Sequence, residues 1–214
     1  LADQTQAQKK LRDALEVAFP NAIAVGRDPT IQEITGTNVP YLDATMEETL
    51  RCAGTAPVVD REALTDTNLL GYHIPKGTVV TCLVTGPSMM SPGFAIDNSR
   101  RSPTSQAAIR DGQLRSWNHE DISLFRPDRW IVHEEKGDHF NATAGPQLAF
   151  GLGTRGCYGK RLVYLEMRIV LTLVLWNFEL LPCPPGLSGY HSSLITTNEP
   201  QQCYVRLRKI RRSF

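Results

Sequence analysis

The sequence predicts a mainly α-helical α+β fold with small antiparallel β-sheets, and three patterns carry that prediction. Apolar side chains recur at helical spacing near the N-terminus, a long apolar stretch broken by charges fills 162–181, and short β-type runs lie between turn residues elsewhere. At 214 residues the chain can bury a core, and no internal repeat or linker divides it, so residues 1–214 read as one unit.

From Gln4 to Phe19, Leu11, Leu15 and Ala18 fall on one helical face, and Pro20 ends the segment. A loop containing Gly26, Asp28 and Pro29 leads to a helical turn over Ile31 to Thr35. Pro40 then opens a second helix through Cys52, with Leu42, Met46 and Leu50 on its buried side. Gly71 to Gly77 reads as a hairpin and Val79 to Val84 as a strand. The stretch from Gly86 to Asn118 mixes Ser, Pro, Gly, Asp and Arg without apolar period, which predicts an irregular excursion that carries no chemistry. After Phe125-Arg-Pro-Asp-Arg-Trp130 come a polar meander, a glycine-rich loop, a long apolar helix and a strand pair around Leu194 to Arg208. Glu166, Arg168, Asn177 and Glu179 interrupt the apolar run from Leu162 to Leu181, so it reads as a buried core helix and not a membrane span.

A formal net charge of +1 supplies no field with which to recruit nucleic acid, which excludes that class of partner. Five cysteines, an odd number with no C-x-x-C pair, argue against a secreted disulfide framework and for reducing surroundings. The chain opens on Leu1-Ala-Asp-Gln with no signal or anchor pattern, and the expectation is that it is a piece of something longer. Asn141-Ala-Thr143 matches a glycosylation triplet but reads as a chance match.

The chemistry concentrates in Phe150-Gly151-Leu152-Gly153-Thr154-Arg155-Gly156-Cys157-Tyr158-Gly159. Four glycines in ten positions allow a flat ligand to approach the main chain closely. Cys157 precedes a helix that begins near Lys160, where unpaired N–H groups and the helix dipole favour an anionic sulfur, a soft ligand that suits iron. Arg155 can bond a carboxylate at the edge of such a ligand, and Phe150 can shield the sulfur. Cys52, Cys82, Cys183 and Cys203 read as small buried hydrophobes. The pattern F-x-x-G-x-R-x-C-x-G arises by chance in a chain of this size roughly once in tens of thousands.

Through this loop the sequence resembles the cytochrome P450 family, whose haem iron is held by a cysteine thiolate. Glu48-Thr-Leu-Arg51 is similar to the family's E-x-x-R helix motif, and Phe125 to Trp130 to its aromatic-Pro-acid-Arg segment, with Asp128 and Trp130 in place of the commoner Glu and Phe. An E-x-x-R pair by itself equally describes a surface salt bridge. The resemblance implies a structural triad of Glu48, Arg51 and Arg129. It also implies haem b held by Cys157 as metal ligand, with Phe150, Gly153, Arg155, Gly159 and Arg61 around it, and Ala56, Val58, Val59 and Leu194 lining the substrate. The implied activity inserts one oxygen atom from molecular oxygen into a small apolar organic substrate, with electrons from an NADPH-dependent flavoprotein reductase at the cytosolic face of the endoplasmic reticulum. Lys160, Arg161 and Arg168 read either as a docking patch for that reductase or as a solvated helix face.

Several phrases resemble fungal members that oxidise secondary metabolites, among them Arg115-Ser-Trp117-Asn-His119 and Cys203-Tyr-Val-Arg-Leu207. The match covers only the family's C-terminal half. The sequence contains no A/G-G-x-D/E-T pattern of the oxygen-activating central helix, so no catalytic acid or base is named. Two rivals follow: a non-catalytic remnant that at most binds haem, and a zinc or redox-cysteine protein, which lacks a second Cys or His at ligand spacing from Cys157.

Overall fold

Helical spacing of Leu11 and Leu15 produces α1 (Thr5–Ala18), which buries both completely. In the computed structural model, which describes residues 1–135 and 137–211, Pro20 does more than stop this helix. It opens α2 (Pro20–Ala24) from N1, where its missing N–H has no helical partner to lose. Helix α3 (Ile31–Gly36) starts in a capping box: the Glu33 amide donates to Thr30 Oγ1 at 3.2 Å and the Thr30 amide to Glu33 Oε2 at 2.7 Å. Hydrogen bonds from Arg27, then from Thr30, hold the Glu33 carboxyl down at about 2. Helix α4 (Pro40–Ala53) ends at Gly54, whose φ of 55° is left-handed backbone that a side chain would strain.

The core lies where these helices meet α6 (Lys160–Asn177). Leu11, Leu15, Phe19, Ile34, Leu42, Met46, Leu175 and Trp176 form one cluster, with the Phe19 and Trp176 rings edge to face at 6.1 Å. Polar side chains seal its end. Arg12 donates to the Leu175 and Phe178 carbonyls at 3.1 Å each, while Gln8 exchanges bonds with the Leu180 backbone at 3.0 and 2.7 Å. Arg168 donates to the Ile34 carbonyl at 2.9 Å, the Thr37 carbonyl at 2.5 Å and Asp43 Oδ1 at 2.6 Å, tying α6 to α3 and α4. Burial nevertheless leaves the Asp43 carboxyl above its ordinary value.

The apolar run behaves differently from a uniformly buried helix. It is helical only to Asn177, then continues as strand β7 (Phe178–Leu181), and Leu162, Leu165 and Val170 are exposed while Thr172, Leu175 and Trp176 are buried. Periodicity alone does not separate a helix from a short strand that follows it without a turn residue.

Five two-stranded antiparallel sheets complete the described residues. Strand β1 (Val58–Glu62) pairs with β4 (Val79–Leu83), setting Arg61 opposite Val80. The hairpin expected at Gly71 to Gly77 instead joins β2 (Thr67–Leu69) to β3 (Tyr72–Ile74). Its two-residue turn, Leu70 and Gly71, has φ of 52° and 86°, the type I′ geometry that matches strand twist. The meander contains β5 (Ile131–Glu134) against β6 (Gly137–Phe140). The single C-terminal strand pair resolves into two pairings, β8 (Ser192–Leu194) with β9 (Asn198–Pro200), and β10 (Arg206–Lys209) with β7. The excursion over 86–118 is not wholly irregular: α5 (Pro103–Arg110) lies within it, capped by Ser102, whose Oγ accepts from the Ser105 amide at 3.2 Å. No helix among the described residues is long and apolar enough to cross a membrane.

Because Leu42 is fully buried at the meeting point of α1, α4 and α6, Leu42→Ala is expected to destabilise the fold by about 2–5 kcal/mol. The check is the urea midpoint, read against an exposed control such as Val17→Ala.

Candidate functional site

Glu48 lies on the buried side of α4 with no exposed side-chain surface. An isolated carboxylate there would be costly, yet every acceptor position is used. Arg51, one helical turn on, forks onto it: Nε donates to Oε2 at 2.8 Å and Nη2 to Oε1 at 2.7 Å. Three donors from the meander join them, the Arg126 amide at 2.7 Å, Arg129 Nε at 3.1 Å and Trp130 Nε1 at 2.9 Å. Burial pushes the Glu48 carboxyl up, but the bonds from Arg51, Arg126 and Trp130 outweigh it and leave the group below its ordinary value.

Both arginines then reach into the loop before the meander. Arg51 donates to the Ile122 and Leu124 carbonyls at 2.7 and 2.9 Å, and to that of Met89. Arg129 donates to Asp121 Oδ1 at 2.9 Å and to its carbonyl at 2.8 Å. Over the two guanidiniums lies the Trp117 ring, 5.8 Å from Arg51 and 5.3 Å from Arg129. Trp117 also meets Trp130 edge to face at 4.8 Å and donates to the Pro146 carbonyl at 3.1 Å, which links the triad to the chain leading into the cysteine loop.

Within that loop, the Gly151 amide donates to Leu148 at 2.9 Å, Gly156 to Gly153 at 3.0 Å, and Cys157 to the Phe150 carbonyl at 2.8 Å. These bonds fold the chain back on itself around a 3-10 turn, Gly153–Arg155. Gly151 and Gly153 supply left-handed φ of 65° and 67°. Gly159 is the residue before the first turn of α6, and a side chain added there would meet Cys157 Sγ at 3.8 Å. The Cys157 thiol is exposed and free. Cys52 is different: burial pushes its thiol up to about 11. Cys203 is exposed, against the expectation of a buried hydrophobe.

The predicted site residues fall into two groups. Phe150, Gly153, Arg155, Cys157 and Gly159 share the loop, whereas Arg61 lies on β1, where it donates only to the neighbouring Asp60 carbonyl at 2.7 Å. Ala56, Val58 and Leu194 are exposed and Val59 half-buried. Their two segments are joined where the Asn198 amide donates to the Thr55 carbonyl at 2.7 Å, beside a cavity of 870 Å³ that Cys52, Thr55, Phe125 and Asn198 help to line. Arg168, one of three residues considered for partner docking, is instead consumed by its bonds to α3 and Asp43. Lys160 and Arg161 remain exposed. Sequence reasoning missed Trp117, Asp121, Gln147 and Glu47, of which only Glu47, beside Glu48, carries a visible signal.

This donor set fits an iron porphyrin. Cys157 offers one open sulfur, no cluster of three His, Cys, Asp or Glu side chains exists among the described residues to cage a bare metal, and Arg61 and Arg155 have no acidic partner among them. With no carboxylate partner among the described residues, each of these guanidiniums can take one carboxylate arm of a macrocycle.

A cytochrome P450 family model matches residues 1–89 and 120–202, leaving out the segment that contains α5. Cytochrome P450 monooxygenase TRI13 of Fusarium sporotrichioides is 47% identical, over 98% of this chain and 38% of that protein. The Hps1-dma1 cluster cytochrome P450 monooxygenase cyp3.1 of Dothistroma septosporum is 43% identical, over 97% of this chain and 69% of that protein. Cytochrome P450 monooxygenase xilC of Penicillium rubens is 41% identical, over 97% and 35%. The chain thus spans little more than a third of TRI13 and of xilC.

Glu48→Ala leaves Arg51 buried without its carboxylate and is expected to cost about 3–5 kcal/mol in urea unfolding. Because folded Glu48 titrates below its ordinary 4.5, its stabilisation is present above that pH and is lost as pH falls through 4.5 toward the folded value. Unfolding measured across that window should show this acid limb in the wild type and a flatter one in Glu48→Gln.

Proposed function

The chain belongs to the cytochrome P450 family, and on that premise we propose that Cys157 is the thiolate ligand of a haem b iron in a monooxygenase centre. The reading is carried by one observation: a free, exposed thiol fixed through its amide to the Phe150 carbonyl, in a glycine-rich loop at the foot of α6. Arg155 and Arg61 would pair with the two propionates, and Gly153 and Gly159 would let the macrocycle lie against the main chain. When bound, haem supplies oxygen activation, to which a cysteine thiolate contributes electron density that favours O–O cleavage, as in P450 proteins generally.

Phe150 covers one side of the loop, its ring 5.6 Å from that of Tyr164, and would keep water from the sulfur. Ala56, Val58, Val59 and Leu194 would present small or apolar surface to an apolar organic substrate. One oxygen atom would enter that substrate and the other would leave as water, taking up two protons from solvent and two electrons from an NADPH-dependent flavoprotein reductase at the cytosolic face of the endoplasmic reticulum. Names such as that of the cluster monooxygenase cyp3.1 support a role in fungal secondary metabolism. Lys160 and Arg161, exposed on the first turn of α6, would offer the reductase two cations.

A second reading, in which this chain binds haem without turnover, draws support from its surface. The accessible area of 14309 Å² exceeds the roughly 9,900 Å² of a compact monomer of this size. Tyr158, Leu162, Leu194 and Ile195 contribute to it with exposures from 58% to 105%. Measured product formation with reductase and NADPH separates the two readings.

The ligand assignment is tested by loading the chain with haem, reducing it and adding carbon monoxide. A strongly red-shifted Soret band, absent from Cys157→Ala, is expected; an unaltered band in that variant overturns the assignment. Charge reversal at Lys160 and Arg161 is expected to weaken reductase binding at low ionic strength, and unchanged affinity removes the docking role.

A further inference from the structure

Glu47 stands next to Glu48 on α4 but faces another way. Only 7% of it is exposed, and both carboxylate oxygens are engaged. Tyr164, seven residues after Cys157 on α6, donates its hydroxyl to Oε1. Gln147, three residues before Phe150, donates Nε2 to Oε2 at 3.1 Å and to the Glu47 carbonyl at 3.1 Å. The other end of the Gln147 amide accepts from the Ala149 backbone at 3.2 Å. One carboxylate thereby holds the chain on both sides of the cysteine loop.

Two contacts pass that hold to the sulfur. The Tyr164 ring lies 5.6 Å from Phe150, and the Phe150 carbonyl accepts from the Cys157 amide at 2.8 Å. The clamp borders a 540 Å³ cavity lined by Glu47, Lys160, Arg161 and Tyr164. Burial, followed by the Glu47 carboxylate, holds the Tyr164 phenol above its ordinary range, which keeps it a donor.

We infer that Glu47 is a positioning residue for the iron-binding loop: by gripping Gln147 and Tyr164 it fixes where Phe150 and Cys157 stand relative to α4. The inference rests on the reading of Cys157 as the iron ligand. Glu48 anchors the meander, and Glu47 anchors the cysteine loop.

Amide hydrogen exchange of the chain tests this without haem. Tyr164→Phe deletes one hydroxyl and keeps the ring against Phe150, whereas Glu47→Ala removes the acceptor for both flanks. Each is expected to speed exchange of the peptide spanning Phe150–Gly159 roughly tenfold, the consequence of losing a charge-assisted hydrogen bond. The α1 peptide around Leu11 and Leu15 should keep its wild-type rate, and Glu47→Gln, which keeps one oxygen to accept from Tyr164 but turns an NH2 toward the Gln147 donor, should restore slow exchange in the loop only in part. If Glu47→Ala also loosens α1, Tyr164→Phe alone decides. In the haem-loaded chain, Tyr164→Phe should lower the share of carbon monoxide complex showing the thiolate band. Wild-type loop exchange in Tyr164→Phe overturns the clamp and leaves the ligand assignment standing. An unaltered band in Cys157→Ala removes the assignment itself, whatever the loop exchange shows.

Discussion

The buried carboxylate of Glu48 is the constraint on which the rest of the structure depends. Taking an ion pair out of water gains stability only when each charge finds its full set of partners. Here the carboxylate receives two bonds from Arg51 and one each from the Arg126 amide, Arg129 and Trp130. Arg51 spends its remaining donors on main-chain carbonyls. In such a closed network removal of any one member strands the others, because the low local dielectric that strengthens each bond also penalises each vacancy. The triad therefore works as a positional lock: the meander is placed where its donors can reach Glu48, and the segments bonded to the meander follow.

How much of this was legible depended on whether the signal was local. The Glu48 and Arg51 pairing follows from a spacing of three on a helix, and the loop around Cys157 from its glycines. At those positions the structure has Arg51 bonded to both Glu48 oxygens, and left-handed backbone at Gly151 and Gly153. Trp117 was not legible as a partner of the triad, because nothing in a polar stretch says that its indole will travel back across the meander to lie on two guanidiniums. Leu70 misled in the opposite way: the hairpin turns at a leucine with φ of 52°, a conformation that residue identity argues against, so the glycines further along attracted the reading. Helix α5 escaped because its eight residues place Ala107, Ala108 and Ile109 side by side with no apolar period, and only its cap, Ser102 followed by Pro103, marks the start. Arg168 is the clearest lesson about charge within an apolar run. It reads as a docking cation or as a solvated face, and only the positions of the Ile34 and Thr37 carbonyls show it to be a buried tie.

Burial is distributed unevenly along α6. One end of α6 buries Thr172, Leu175 and Trp176 against α1 and α4, while the end nearest Cys157 leaves Leu162 and Leu165 open. The predicted contacts for cofactor and substrate lie at the open end or on and beside the small sheets, and among them only Val59, Phe150 and Gly159 are half-buried. A large planar ligand requires such a surface, since residues already packed against one another would have no area left to give it. The helical end thus supplies the packing, and the loops it carries supply the open surface.

That separation raises the question of how a loop with an exposed sulfur keeps its place. Successive residues on an α-helix point about 100° apart, so Glu47 and Glu48 necessarily face different neighbours from one rigid segment. Glu48 faces the meander and Glu47 faces the two flanks of the cysteine loop. Because α4 is itself packed in the core through Leu42 and Met46, any rotation of the helix that relieved one carboxylate would pull the other out of register. The two acids are coupled through the helix backbone without touching, and the loop inherits from the core a rigidity that its own four glycines lack.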